Sequence, residues 1–156
     1  MTENLPELMD CEIRDVSFGK NVKIAQPSNL YGCTIRDECF IGPFVEIQKG
    51  VVVGARTRVQ SHSFICELVT LGDDCFVGHG VVFINDPFSG SGPARGRREL
   101  WRETRIGNRV SIGSNSTIMP VKVCNDVVIG AGAVVTHSIT EPGIYAGNPA
   151  RRLGDR

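Results

Sequence analysis

Aliphatic residues recur at every sixth position along the chain, as Ile35, Ile41, Ile47, Val53, Val59, Ile65, Leu71 and Val77. The register returns as Ile106, Ile112 and Ile118, then as Val123, Ile129 and Val135, with one residue missing between Ile118 and Val123. Glycine often follows directly, as at Gly42, Gly54, Gly72, Gly78, Gly107, Gly113 and Gly130. The fourth residue after each aliphatic one is small or β-branched, for example Cys39, Thr57, Ser63, Cys75, Val110, Ser116 and Ala133. A strict period of six fits neither the 3.6-residue helix nor a long alternating strand. It fits a chain that runs a short strand, turns a corner and repeats, with both marked positions pointing inward and glycine taking up an unusual φ at the corner. Three such faces make a coil of about 18 residues, so residues 18 apart should stack on strands about 4.8 Å from each other. About seven coils then cover the chain.

This pattern divides the chain without breaking it into domains. Residues 1–34 read as less regular first coils, 35–84 and 105–138 as regular coils, and 139–156 as a C-terminal tail. Between the regular blocks, residues 85–104 abandon the repeat for a segment rich in Gly, Pro, Ser and Arg, expected to be a loop thrown out from one corner. Such an excursion in a regular solenoid points to function.

Acidic and basic residues cancel at 17 each, so no net field recruits nucleic acid or an anionic membrane. The opening MTENLPELMDCEIRD lacks a basic and then apolar leader, and no stretch has the roughly 20 apolar residues of a membrane span, so a cytoplasmic protein is expected. Six cysteines there stay reduced and form no close CxxC pair. Cys33, Cys39 and Cys75 fall at the small inward position and read as buried packing residues.

The repeat, together with the runs EIQKGVVVG, QSHSFICE, GHGVVFIND, IGSNSTIMP, VIGAGAVVT and AGNPARRL, resembles the hexapeptide-repeat acyltransferase family. Within that family the runs are similar to the branch that acetylates 3-amino groups of nucleotide-linked sugars for surface polysaccharides such as lipopolysaccharide. The resemblance implies an all-β, left-handed parallel β-helix, a homotrimer, acetyl-CoA as co-substrate and a nucleotide-linked amino sugar as acceptor. It departs from the family where Pro120 runs straight into Val121 without a glycine, and in a longer, more basic loop carrying Arg95, Arg97, Arg98, Arg102 and Arg105.

Attack of a sugar amine on a thioester needs an unprotonated amine, a donor for the developing oxyanion and close placement of both substrates. The 18-residue spacing stacks Ser61 under His79 and Glu67 under Asn85, which suggests that polar groups converge on one edge beside the loop. His79 falls on an outward corner, where an imidazole could accept the amine proton; binding substrate or a corner carbonyl is the alternative. Asn85 and Asp86 match an Asn-Asp pair that in the family contacts the amino sugar or orients its amine, although both residue types also start turns before a proline such as Pro87. Glu46, Gln48, His62 and Glu67 lie in the family-like runs as candidate sugar contacts. Ser114, Asn115, Ala131 and Gly132 are small late corners along which a pantetheine arm could bond to backbone amides. Arg151 and Arg152 are candidates for the CoA phosphates, the loop arginines for a nucleotide diphosphate, and Trp101 or Phe88 for stacking on its base. Cys66 beside Glu67 could act as a nucleophile, but direct transfer from CoA makes one unnecessary.

Three other functions compete. A zinc carbonic anhydrase on this fold needs three histidines meeting between subunits, whereas the chain holds only His62, His79 and His137 and has Ile84 where a second histidine would follow GHG; no metal is expected. A non-catalytic scaffold would trimerise without binding CoA. An acyltransferase with a different small acceptor differs only in the residues facing that acceptor.

Overall fold

The computed structural model describes residues 11–89 and 92–156, and over them the chain is a three-faced parallel β-solenoid of about seven coils, consistent with a left-handed β-helix. Up to the strand Val134–Val135 each coil spends two or three residues on a face before turning, and strands three apart in sequence pair in parallel. Face I holds seven strands, including Asn29–Tyr31, Glu46–Ile47, Phe64–Ile65, Val82–Phe83 and Thr117–Ile118. Face II holds six, among them Val52–Val53, Val69–Leu71 and Thr104–Ile106. Face III holds eight, among them Phe40–Ile41, Arg58–Val59, Phe76–Val77 and Ser111–Ile112. The three-face pattern already operates at Ile13, which pairs with Leu30, so the first coils are shorter in step and fully part of the solenoid.

The aliphatic ladder and the small inward position together make the core. Ile35, Ile41, Ile47, Val53, Val59, Ile65 and Val77 are all fully buried, and so are Val51, Thr57, Val81, Val110 and Ser116. The buried hydroxyls and thiols bond to corner carbonyls. Thr57 Oγ1, Ser63 Oγ and Ser116 Oγ donate to the carbonyls of Gly72, Gly78 and Gly130 at 2.9, 2.8 and 3.0 Å. Cys39 and Cys75 donate likewise to the Gly54 and Gly107 carbonyls. Each satisfies a carbonyl that no strand partner reaches.

The expected role of the repeat glycines needs correction. The left-handed φ falls two residues after them, at Phe44, Arg56, Asp74 and Asn115, with values from 56 to 59°. The repeat glycine is needed for close approach instead: a Cβ on Gly54 would lie 2.2 Å from the Gly72 carbonyl oxygen, and one on Gly113 would lie 2.4 Å from the Ala131 nitrogen. Coils stacked at strand spacing leave no room for a methyl there.

The residue missing after Ile118 is absorbed at the following corner, where Val121 remains buried, and the ladder resumes with Arg105 opposite Lys122 and Ser111 opposite Val128. The strands stop after Phe83 and resume at Thr104, which pairs with Val69; among the described residues of the excursion there is one 3-10 turn, Arg98–Leu100. The C-terminal tail is structured: Gly143–Ala146 extends face III and turns into the antiparallel strand Arg151–Gly154.

Candidate active site

Where face III turns into face I, the third repeat position stacks Ser61, His79, Ser114 and Ala131 on successive coils. His79 is exposed, and its Nδ1 lies 2.8 Å from Ser61 Oγ. Its backbone N–H donates to Ser114 Oγ at 3.2 Å, and its carbonyl accepts from the Asn115 N–H at 2.8 Å. Gly132, with φ at 68°, has open space where a side chain would stand, and its N–H donates to the Ser114 carbonyl. His79 and four of the six candidate cofactor residues, Ser114, Asn115, Ala131 and Gly132, therefore share one edge, with His79 toward the early coils and Gly132 toward the late ones. His62 lies on the same edge one coil earlier, stacked on Phe44 with ring centroids 4.8 Å apart.

The other polar set occupies the next corner, where face I turns into face II. Asn85 Nδ2 donates to the Glu67 carbonyl at 3.2 Å, the Glu67 N–H donates to Gln48 Oε1 at 3.3 Å, and Gln48 Nε2 donates to Glu46 Oε1 at 2.9 Å. The stacking of Ser61 with His79 and of Glu67 with Asn85 follows the 18-residue spacing, but the two pairs do not converge. Six residues advance the chain by one face, so His79 and Asn85 stand at opposite ends of the strand Val82–Phe83. Loss of water around Tyr31, reinforced by the nearby carboxylates of Glu46 and Glu67, holds its phenol above the ordinary range.

The loop closes over this second corner. Arg98 forms an ion pair with Glu67 Oε2, whose side chain is only 15% exposed, and the same guanidinium lies over the Trp101 ring at 5.6 Å. Asp86 organises the loop's path: Oδ1 accepts the Phe88 N–H at 3.0 Å and Oδ2 accepts the Ala94 N–H at 2.7 Å. Arg102 bonds to the carbonyls of Glu99 and Trp101, Arg97 to that of Ala94, and Arg105 pairs with Glu103. Phe88 is 61% exposed. Arg151 and Arg152 are consecutive on the last strand, so their side chains leave opposite sides; Arg152 is paired with Asp155.

Burial pushes the Cys66 thiol up to about 12, which keeps it protonated and un-nucleophilic at neutral pH. Phe44 and Tyr31 are site residues that the sequence reading missed, whereas Arg98 was named there among the loop arginines as a candidate for a nucleotide diphosphate and not as a partner of Glu67. Phe44 was accessible to that reading, because it lies 18 residues before His62 in the repeat register. The pairing of Arg98 with Glu67 was not, because no period governs the loop.

A family model described as bacterial transferase hexapeptide (six repeats) matches residues 32–67, and one described as hexapeptide repeat of succinyl-transferase matches residues 103–137. The serine acetyltransferase of Mycobacterium tuberculosis is 33% identical over 113 residues, spanning 70% of this chain and 45% of that protein. The bifunctional protein GlmU of Sphingopyxis alaskensis is 31% identical over 140 residues, spanning 80% of this chain and 31% of that protein. The chain thus spans less than half the length of the curated relatives it matches. Among solved structures, a point mutant of AntD, an N-acyltransferase from Bacillus cereus, in complex with dTDP and coenzyme A superposes with a TM-score of 0.79 at 25% identity, covering 90% of this chain and 83% of that one. Galactoside acetyltransferase in complex with coenzyme A gives a TM-score of 0.66 at 25% identity, covering 78% and 64%. Among the described residues no helix is long and apolar enough to cross a membrane.

Proposed function

We propose that the chain, which matches hexapeptide-repeat transferase models over residues 32–67 and 103–137, transfers the acetyl group of acetyl-CoA to the amine of a nucleotide-linked 3-amino sugar. The observation that carries this reading is the single edge on which an exposed imidazole, oriented by Ser61, stands directly beside the small corners Ser114, Asn115, Ala131 and Gly132. AntD, co-crystallised with dTDP and coenzyme A, supports both the CoA and the nucleotide parts of it.

In the reaction, the acceptor nitrogen attacks the thioester carbonyl carbon as a C–N bond forms. His79 Nε2 takes the proton from that nitrogen, the C–S bond breaks, and CoA leaves as a thiolate that takes up a proton. The Nδ1 contact to Ser61 leaves Nε2 as the ring nitrogen available for this. The pantetheine arm lies along the late corners. Asn85, Glu67, Gln48 and Glu46 form an acceptor-binding set that meets His79 across a subunit boundary in a cytoplasmic homotrimer, because on one chain they stand at the far end of face I. Asp86, Arg151 and Arg152 take supporting roles, Asp86 by shaping the loop and the arginines by offering charge to CoA phosphates.

Free-thiol release from acetyl-CoA, measured with UDP- and dTDP-linked 3-amino sugars and a 4-amino sugar as control, tests the reading. Rapid release with one 3-amino sugar supports it. Tight CoA binding without release from any of them, but with release on adding serine or another small acceptor, replaces the acceptor; no CoA binding sinks the transferase reading.

A further inference from the structure

Residues 94–102 of the excursion bond chiefly to one another. The Arg97 N–H donates to the Ala94 carbonyl, the Leu100 and Trp101 N–H groups donate to the carbonyls of Arg97 and Arg98, and the Arg102 guanidinium donates to those of Glu99 and Trp101. A stretch bonded in this way opens and closes as one flap. Among the described residues its polar ties to the coils are the Arg102 N–H on the Asn85 carbonyl, at the root of the flap, and Arg98 on Glu67. The bond from the Ala94 N–H to Asp86 stays within the excursion.

The backbone of Glu67 is fixed without the flap: its N–H donates to Gln48 Oε1 and its carbonyl accepts from Asn85 Nδ2. Its side chain is only 15% exposed and meets the flap at Arg98. Oε2 has no accessible surface and no aligned hydrogen bond among the described residues, so the guanidinium faces it as charge on charge. Such a contact is less directional than a hydrogen bond, and Arg98, more than half exposed, leaves it readily for water.

We propose that Arg98 is the latch of a gate: while it holds Glu67 the flap keeps an acceptor from that carboxylate, and the acceptor binds once the latch has opened. The proposal rests on the acceptor-binding set argued above. A guanidinium on Oε2 occupies the oxygen to which a sugar amine or hydroxyl would donate, so the two exclude each other. The apparent affinity for the acceptor is then the intrinsic affinity scaled by the open fraction, and weakening the latch raises it without adding a contact. An Arg98 that held the acceptor's diphosphate would have the opposite effect when removed.

Trp101 is the chain's only tryptophan, it is half-buried, and its ring lies beside Arg98, so its fluorescence reports the flap. Quenching by neutral acrylamide, read on the intact protein without ligand, should increase in Glu67→Gln, which leaves both Arg98 and Trp101 in place, and in Arg98→Gln. Each should raise the open-to-closed ratio by about fivefold, and the double variant by no more than either. Arg98→Gln should lower the KM for the acceptor identified by thiol release by the same factor and leave the KM for acetyl-CoA unchanged. Wild-type quenching in both single variants, or additive effects in the double variant, overturns the latch. A raised acceptor KM in Arg98→Gln makes Arg98 a binding residue and overturns the gate. Latch behaviour without thiol release from any acceptor defeats the transferase reading and leaves the latch standing; thiol release with unchanged quenching does the reverse.

Discussion

His79 can move a proton only at Nε2, because Nδ1 is engaged with Ser61. A serine hydroxyl can either donate or accept, so this pair does not fix the tautomer in the way a carboxylate would. His79→Ala should therefore lower the rate of thiol release by about 100- to 10,000-fold with little change in the KM for acetyl-CoA. Ser61→Ala should cost only several-fold, since the ring keeps its place on the coil, but it should displace the pH–rate profile; an unchanged profile would mean that Ser61 merely packs. The Ser61–His79 contact was legible in the sequence, because an 18-residue spacing means one coil. The glycines were misread for an equally local reason. Their recurrence showed that a side chain is excluded, but not whether torsion or contact excludes it. The two causes separate on mutation: Gly54→Ala, with backbone 2.2 Å from the new Cβ, should lose about 3 kcal/mol in urea unfolding. Gly132→Ala, which has open space but φ at 68°, should lose about 1 kcal/mol.

At the scale of the element, Asp86 makes two of the bonds that shape the described part of the excursion after Phe83. Its carboxylate closes the turn at Phe88 and reaches Ala94 eight residues on, while Arg98 ties the returning segment to Glu67. The sequence marked where this loop leaves and rejoins, because the period stops and restarts there. It could not show the loop's own bonds, which depend on unique contacts that no repeat encodes. The corners were assigned only in part for the same reason: the period places each residue on a coil, yet convergence across a face depends on how far one face extends. Asp86→Ala should accelerate tryptic cleavage at Arg95 and Arg97, both exposed, and leave the unfolding midpoint of the solenoid nearly unchanged. Slow cleavage in the variant would mean that Arg98 and the Asn85 carbonyl, which accepts the Arg102 N–H, hold the loop unaided.

Across the whole molecule, the core is a stack of thin layers closed by small inward residues. Four of the buried side chains are thiols: Cys33, Cys39, Cys66 and Cys75. Burial raises all four, Cys33 to about 11 and Cys66 to about 12, against 9.0 for a free thiol. The folded state therefore holds neutral thiols through a range in which the unfolded chain ionises them. Below pH 9 neither state ionises and the contribution to stability is fully present. As pH rises from about 9 toward 11–12 the unfolded chain releases protons that the folded one retains, so stability falls, by up to about 1.4 kcal/mol per pH unit for each thiol. Urea midpoints should hold steady from pH 7 to 8.5 and then decline. Lysine and tyrosine titrate in the same range, so the difference between wild type and a Cys33→Ala, Cys66→Ala double variant isolates the thiol part. The variant starts less stable because of its two small cavities, but its midpoint should decline less steeply above pH 9. Parallel declines in the two proteins would mean that the buried thiols reach water on the way to unfolding and that the layered core opens locally before it melts.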